Sequence, residues 1–226
     1  MLSAAMPSRL LAAFPPGVAV TRVTLDEAVA RVAARIGAHR GRGRRRRLKT
    51  LTLLRHAKSG WDDPVARDFD RPLNDKGRRA AQTMGRHMRD EGLVFDHIVA
   101  SPAVRVMETL DAIASGYGRK LEPVWERRIY LASAATLLDV VHELPDQAQR
   151  VLMVGHNPGL EDLAMLLVPF GGGALRDRLE EKYPTATLAE MATGAECWRA
   201  VAEGQARLDR YVRPRDLDPA LGPDER

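Results

Sequence analysis

Cysteine is almost absent from this 226-residue chain, which contains only Cys197. A single cysteine cannot form an internal disulfide, so the chain is not a disulfide-framed secreted domain, and a reducing compartment suits it. The chain also lacks any internal repeat. Hydrophobic residues make up 45% of the chain and charged residues 29%. This is the composition of an ordinary globular protein that can build a hydrophobic core.

Long hydrophobic runs are also missing. No apolar stretch approaches the length of a membrane span, which excludes a transmembrane protein at the level of sequence. The apolar start over residues 10–20 is interrupted by Pro15 and Pro16, unlike the continuous core of a secretory signal. We therefore expect a cytoplasmic protein. The arginine-rich, acid-poor start also has some character of an organellar transit peptide, an alternative that the sequence leaves open.

Negative charge is scarce in one part of the chain only. Residues 1–47 contain ten arginines against Asp26 and Glu27, a net charge of +8, whereas residues 48–226 carry −3. Because the larger part is slightly acidic, we predict no nucleic-acid role for it. The sequence thus predicts a basic extension over 1–47, with one helix capped by Thr24, and a catalytic domain over 48–226. The extension is either a loosely docked helix, a start placed too early, or a basic arm that binds an anionic partner.

The hydrophobic pattern from residue 48 alternates short β-rich runs with amphipathic stretches. This alternation predicts an α/β fold with a mostly parallel sheet flanked by helices. The predicted helices begin at Asn74, Ser101 (as N-cap), Ala134 and Pro158. The predicted strands are 50–54, 97–100, 121–125, 150–154, 187–191 and 206–212.

Polar side chains follow three of the predicted strands. Arg55 and His56 follow the first, Ser101 and Arg105 the second, and His156 with Asn157 the fourth. The carboxyl ends of parallel strands meet at one edge of a sheet, so these residues are expected to share a pocket. The guanidinium group of arginine can donate two hydrogen bonds to the oxygens of one phosphate. Histidine can act both as a nucleophile and as a titratable hydrogen-bond donor near neutral pH. The pattern therefore predicts a site for a tetrahedral phosphate.

Four short motifs occur in this chain in the same order as in a known protein family. Together they resemble the histidine phosphatase superfamily, which has the phosphoglycerate mutase-like three-layer fold, and in particular its SixA-type phosphohistidine phosphatase branch. The resemblance covers about residues 48–217. The motifs are 54–59 (LRHAKS) followed by Trp61, 70–74 (DRPLN) with Gly77, 101–105 (SPAVR) with Thr109, and 154–159 (VGHNPG).

The resemblance implies a phosphohydrolase in which His56 attacks phosphorus and becomes transiently phosphorylated. Arg55, Arg105 and His156 would hold the phosphate oxygens, with Asn157 as an added donor. Glu126 is the nearest candidate for a general acid, although its position beside Arg127 and Arg128 favours a solvated glutamate. No cofactor is expected, and no His/Cys/Asp cluster has metal-ligand spacing.

Three functions remain open at this level. The first is a protein phosphohistidine phosphatase, since a nitrogen leaving group relaxes the need for a general acid and the short connection between Arg105 and His156 suggests an open site. The second is a phosphomonoesterase acting on a small phosphate ester. The third is an inactive phosphate-binding module, against which the intact set of site residues counts.

Overall fold

The structure, a computed structural model, describes residues 48–60 and 67–222. The predicted extension over 1–47, its helix and Trp61 lie outside the described residues, so the predicted domain boundary stays a prediction. The strands are β1 (Thr50–Arg55), β2 (His97–Ala100), β3 (Val124–Trp125), β4 (Arg150–Gly155), β5 (Leu188–Ala192) and β6 (Arg207–Val212). The helices are α1 (Asp75–Asp90), α2 (Val104–Tyr117), α3 (Ala134–His142), α4 (Gly159–Leu167), α5 (Ala174–Glu181) and the short α6 (Pro214–Leu217).

The six strands form one mixed sheet in the order β3-β2-β4-β1-β5-β6. Strands β3, β2, β4 and β1 run parallel to one another, whereas β5 is antiparallel to both β1 and β6. The predicted α/β fold with a mostly parallel sheet is confirmed, with β5 as the one reversed strand. Strand β3 is shorter than the predicted 121–125, and α5 was not anticipated.

Helices cover both faces of the sheet, which gives three layers. Alternation along β4 places Val151 and Met153 in one core, and Leu152 and Val154 in the other. The first core packs against α3, α4 and α5, and the second against α1 and α2. The near-continuous apolar run of β4 thus fits a strand buried on both sides. No helix within the described ranges has the length and apolar character to cross a membrane.

Helices α1 and α2 approach each other unusually closely. A Cβ atom added at Gly85 would lie 2.3 Å from the Ile113 carbonyl oxygen, and one at Gly116 would lie 2.1 Å from that of Gln82. Each glycine therefore allows the backbone of the other helix to pack where a side chain would clash. This tight pair supports the second core beneath the carboxyl ends of β1 and β2.

Candidate active site

His56 directly follows β1 and lines a cavity at the carboxyl edge of the sheet. The imidazole is 9% exposed, and its Nδ1 lies 2.8 Å from the Ala57 carbonyl oxygen. A carbonyl oxygen only accepts hydrogen bonds, so Nδ1 carries the ring proton and Nε2 keeps its lone pair. The geometry thus fixes a neutral tautomer in which Nε2 carries the free lone pair.

Thr109 of α2 fixes the backbone that orients His56. The Ala57 amide donates to Thr109 Oγ1 at 2.9 Å, and this hydroxyl is fully buried. A threonine on a rigid helix therefore holds the peptide whose carbonyl accepts the His56 proton. Thr109 is a positioning residue, one step removed from the imidazole.

Arg105 approaches His56 from the first turn of α2. Its Nε lies 3.3 Å from His56 Nε2, and the residue is 3% exposed. The remaining nitrogens of the guanidinium bind Asp68, with Nη1 2.6 Å from the carbonyl oxygen and Nη2 3.0 Å from Oδ2. Arg105 and His56 are 49 residues apart in the chain, and the structure brings them into contact.

His156, which follows β4, completes the group. Its ring centroid lies 5.1 Å from that of His56, and its Nε2 lies 2.8 Å from Ser101 Oγ. Nδ1 is buried without a hydrogen-bond partner among the described residues. The prediction that Ser101 caps α2 is wrong, because the N-cap is Ala103 and the Ser101 hydroxyl pairs with His156 instead.

The cavity between these side chains has a volume of about 420 Å³ and is strongly basic. Among the described residues that line it, Asp68 is the only carboxylate, against three arginines and one lysine. Such an excess of positive charge at hydrogen-bonding distance suits an anion of the size of phosphate. The lining residues are Arg55, His56, Lys58, Ser59, Asp68, Arg71, Arg105, Leu131, His156, Asn157 and Thr185.

Both histidines of the cavity are held neutral. Burial lowers the pKa of His56 to about 4, against the opposing hydrogen bond to Ala57, and the charges of Arg105 and Arg55 lower it further. Burial also lowers the pKa of His156 to about 3, assisted by His56 and Arg105. At neutral pH the His56 lone pair is therefore available.

Asp68 is a cavity residue that the sequence did not reveal. Its carboxylate accepts from Arg71 Nη1 at 2.9 Å, from the Tyr130 hydroxyl at 2.8 Å and from Arg105. Burial by itself would raise the pKa of Asp68, but the hydrogen bonds from Arg71 and Tyr130 and the charge of Arg105 lower it to about 2. No local pattern signals this role, since only tertiary folding brings these partners together.

Arg55 and Asn157 lie at the cavity but are partly committed to other contacts. Arg55 Nη1 donates to the Tyr183 carbonyl at 2.7 Å, which leaves the other nitrogens of the guanidinium group for a ligand. Asn157 Nδ2 lies between two acceptors, Glu161 Oε2 at 2.6 Å and the Tyr183 carbonyl at 3.1 Å. The two amide hydrogens are thus already used, so Asn157 positions the loop rather than supplying the predicted extra donor.

Glu126 is not brought into the site. It does not line the cavity, and its two carboxylate oxygens accept from the Arg128 amide and from Arg128 Nη2, each at 2.9 Å. These hydrogen bonds lower the pKa of Glu126, which disfavours a proton donor at neutral pH. Glu126 instead caps a short 3-10 helix over Arg127–Ile129.

The N-terminus of α1 is packed against the loop that follows His56. A Cβ atom added at Gly77 would lie 2.0 Å from the Lys58 carbonyl oxygen, and the Asn74 amide donates to the same oxygen at 3.1 Å. Asn74 also caps α1, with its side chain accepting from the Gly77 amide at 2.8 Å. The 70–77 segment therefore holds the backbone just beyond the proposed nucleophile.

Comparison with known proteins supports one family. The sequence profile of the histidine phosphatase superfamily (branch 1) matches residues 51–129. An uncharacterized protein of Mycobacterium tuberculosis is 32% identical over 164 residues, which are 72% of this chain and 100% of that relative.

Two solved structures extend the similarity to the fold. A candidate phosphohistidine phosphatase SixA from Nakamurella multipartitia is 30% identical, with a TM-score of 0.64 over 74% of this chain and 96% of that one. Its counterpart from Agrobacterium tumefaciens, also 30% identical, has a TM-score of 0.60 over 74% and 99%. With the paired histidines and arginines of the cavity, these similarities lead to one conclusion: the chain is a phosphatase that belongs to the histidine phosphatase superfamily, in its SixA-type branch.

Proposed function

We propose that this phosphatase hydrolyses phosphohistidine on a cytoplasmic protein without a metal ion, through a phosphohistidine intermediate on His56. The observation that carries the proposal is the His56 tautomer. Its proton is committed to the Ala57 carbonyl, and its free Nε2 lies beside Arg105 in a basic cavity. A neutral imidazole held in this way is a nucleophile that needs no base to activate it.

The chemistry follows from these positions. Nε2 of His56 forms a bond to phosphorus as the bond from phosphorus to the leaving nitrogen breaks. Arg105, Arg55 and Nδ1–H of His156 stabilise the negative oxygens during the transfer. Water then attacks the phosphohistidine, releasing inorganic phosphate and restoring His56. In this scheme the arginines supply the positive charge that a divalent ion supplies in other phosphatases.

The leaving group distinguishes phosphohistidine from a phosphate ester. An alkoxide needs a protein acid, yet Asp68, the one carboxylate that lines the cavity within residues 48–60 and 67–222, has a pKa of about 2 and is ionised at neutral pH. A phosphorylated imidazole can take its proton from solvent on the distal ring nitrogen and leave as a neutral ring. The absence of a suitable acid from the described lining residues thus favours a phosphoramidate substrate.

The surroundings of the cavity also favour a protein substrate. Between Arg105 and His156 the chain forms only the rest of α2, β3, a 3-10 helix, α3 and β4. No inserted capping segment occurs in this stretch of described residues. A phosphohistidine on a protein surface can therefore reach the cavity.

Rapid-quench labelling tests the proposal. The enzyme is mixed with a ³²P-phosphohistidine peptide and quenched in alkali, and the labelled residue is mapped. We expect an alkali-stable, acid-labile label on His56, which His56→Ala abolishes. His97→Gln, a histidine at the opposite end of β2, should keep the label. Faster turnover of a phosphoserine peptide or a small phosphate ester than of phosphohistidine would overturn the substrate assignment.

A further inference from the structure

A second basic cavity adjoins the active site. It has a volume of about 310 Å³ and shares Arg55, Lys58 and Thr185 with the phosphate cavity. The part of the lining that the structure describes contains six basic residues and no acidic one. These basic residues are Arg55, Lys58, Lys76, Lys182, Arg213 and Arg215.

We propose that this second cavity binds an acidic segment of the phosphoprotein substrate, next to the phosphohistidine. The proposal rests on the proposed function and identifies which protein surfaces the enzyme prefers. Carboxylates accept hydrogen bonds from the guanidinium group of arginine and from the ammonium group of lysine. A cavity lined by positive charges also attracts negatively charged side chains over a longer range. Because the two cavities share Arg55, Lys58 and Thr185, a chain whose phosphohistidine enters the first can reach the second with its flanking residues.

The basic residues differ in how far they are already neutralised. Arg213 forms ion pairs with Asp216 at 3.1 Å and with Glu181 at 3.3 Å, so its charge is already largely neutralised and its side chain is held in place. Arg215 has only a 3.8 Å ion pair with Glu181, with no hydrogen bond. Lys182 is exposed, and its ammonium makes no ion pair or hydrogen bond within residues 48–60 and 67–222. Lys182 and Arg215 are therefore the groups most available to a substrate carboxylate.

The remaining walls favour a peptide over a second phosphate group. Ala80, Pro184, Pro214 and Leu221 place apolar surface between the charged groups. The methylene groups of aspartate and glutamate side chains can pack on this surface while their carboxylates reach the basic residues. A free phosphate has no apolar part to bury there.

Matched phosphohistidine peptides test the proposal. Three peptides of equal length carry acidic, neutral or basic flanks, and kcat/KM is measured for each. We expect the acidic peptide to exceed the neutral one by about tenfold, a ratio that falls with rising salt because the charges are partly exposed. In the double variant Lys182→Ala/Arg215→Ala the ratio should fall to about twofold or less, and double substitution by glutamate should reverse the order.

The controls separate the second cavity from the first. Lys182 and Arg215 do not line the phosphate cavity, so turnover of free phosphoramidate should stay unchanged in these variants. Lys120→Ala/Arg207→Ala removes one exposed lysine and one exposed arginine away from both cavities, and it should keep the full preference. Equal kcat/KM for the three peptides, or a preference that survives the Lys182/Arg215 substitutions, would overturn the proposal.

A binding measurement keeps this inference distinct from the proposed reaction. Fluorescence anisotropy with unphosphorylated acidic and neutral peptides reports on the second cavity even if no phosphohistidine is hydrolysed. Tighter binding of the acidic peptide, lost in Lys182→Ala/Arg215→Ala, supports the inference whatever the labelling of His56 shows. Equal affinities for the acidic and neutral peptides count against it.

Discussion

Single hydrogen bonds decide the chemical state of the site residues. His56 is neutral with a free Nε2 lone pair because its Nδ1–H donates to the Ala57 carbonyl, and Thr109 holds that peptide in place. In His156, one ring nitrogen lies at hydrogen-bonding distance from the Ser101 hydroxyl, and the other has no partner among the described residues. Burial then lowers the pKa of both rings, since a charged imidazole would lose its hydration.

The charge on Arg105 should be visible in the titration of His56. In Arg105→Gln the pKa of His56 is expected to rise above its native value of about 4, because a neighbouring cation no longer opposes protonation. NMR titration of labelled histidine measures this shift, and the surface variant Arg207→Gln should leave it unchanged. If Arg105 is the oxyanion donor of the proposed reaction, its loss should also lower kcat by roughly 100- to 1,000-fold. An unchanged or lower pKa would contradict the assigned contact.

Asp68 should oppose binding of phosphate. Its ionised carboxylate lies 3.0 Å from Arg105 Nη2, on the guanidinium that a phosphate would use. In Asp68→Asn a negative charge disappears while the backbone carbonyl still holds Arg105, so inorganic phosphate should bind about tenfold more tightly. Competitive inhibition by phosphate measures this change. Asp90→Asn, on the surface of α1, is the matched control, and weaker inhibition in Asp68→Asn would show that Asp68 mainly orients Arg105.

Helix termini and glycine contacts position the site at the scale of whole elements. The N-terminus of α1 packs on the Lys58 backbone through Gly77, and Asn74 caps it. Strands β1, β2 and β4 each end at the cavity because all three point the same way. The sequence correctly predicted that Asn74 caps α1, because this hydrogen bond involves only a residue three positions further along the chain.

Gly77→Ala and Gly85→Ala should separate stability from activity. Both added methyl groups would collide with a backbone carbonyl, at 2.0 Å from Lys58 and 2.3 Å from Ile113. Each substitution should lower the free energy of unfolding by about 1–3 kcal/mol, the usual cost of overpacking. Only Gly77→Ala should also lower kcat/KM of the folded fraction, since Lys58 follows His56 by two residues. Denaturant unfolding and kinetics measure the two effects, and equal losses of kcat/KM would contradict this role.

Two neutral histidines, His56 and His156, lie together with several ion pairs at one edge of the sheet, and their burial affects the stability of the whole molecule. A histidine with a folded pKa below its unfolded value of about 6.5 stabilises the protein fully above that pH. This stability is lost as the pH falls towards the folded values, which are about 4 for His56 and about 3 for His156. The folded state should therefore weaken in mild acid.

Stability measurements at two pH values test this linkage. Between pH 7 and pH 5 the free energy of unfolding should fall by about 2 kcal/mol for each of the two buried histidines. His56→Gln should remove its share of this loss, whereas the surface variant Lys120→Ala should retain it. Urea unfolding at both pH values gives the comparison. A wild-type protein equally stable at pH 5 and pH 7 would show that the histidines are not held neutral.

The sequence by itself determined the layered α/β fold and which residues stand at strand ends. The spacing of hydrophobic residues, the helix caps and the ordered motifs can all be read from short stretches of sequence. For this reason the sequence alone identified the site residues His56, Arg55, Arg105 and His156. The tertiary structure decided the rest: the reversal of β5, the turn of Ser101 towards His156 and the meeting of Asp68 with Arg105. It also separated Glu126 from the cavity and committed the Asn157 amide to Glu161. These outcomes depend on contacts between distant segments, which pair only once the chain has packed around its two cores.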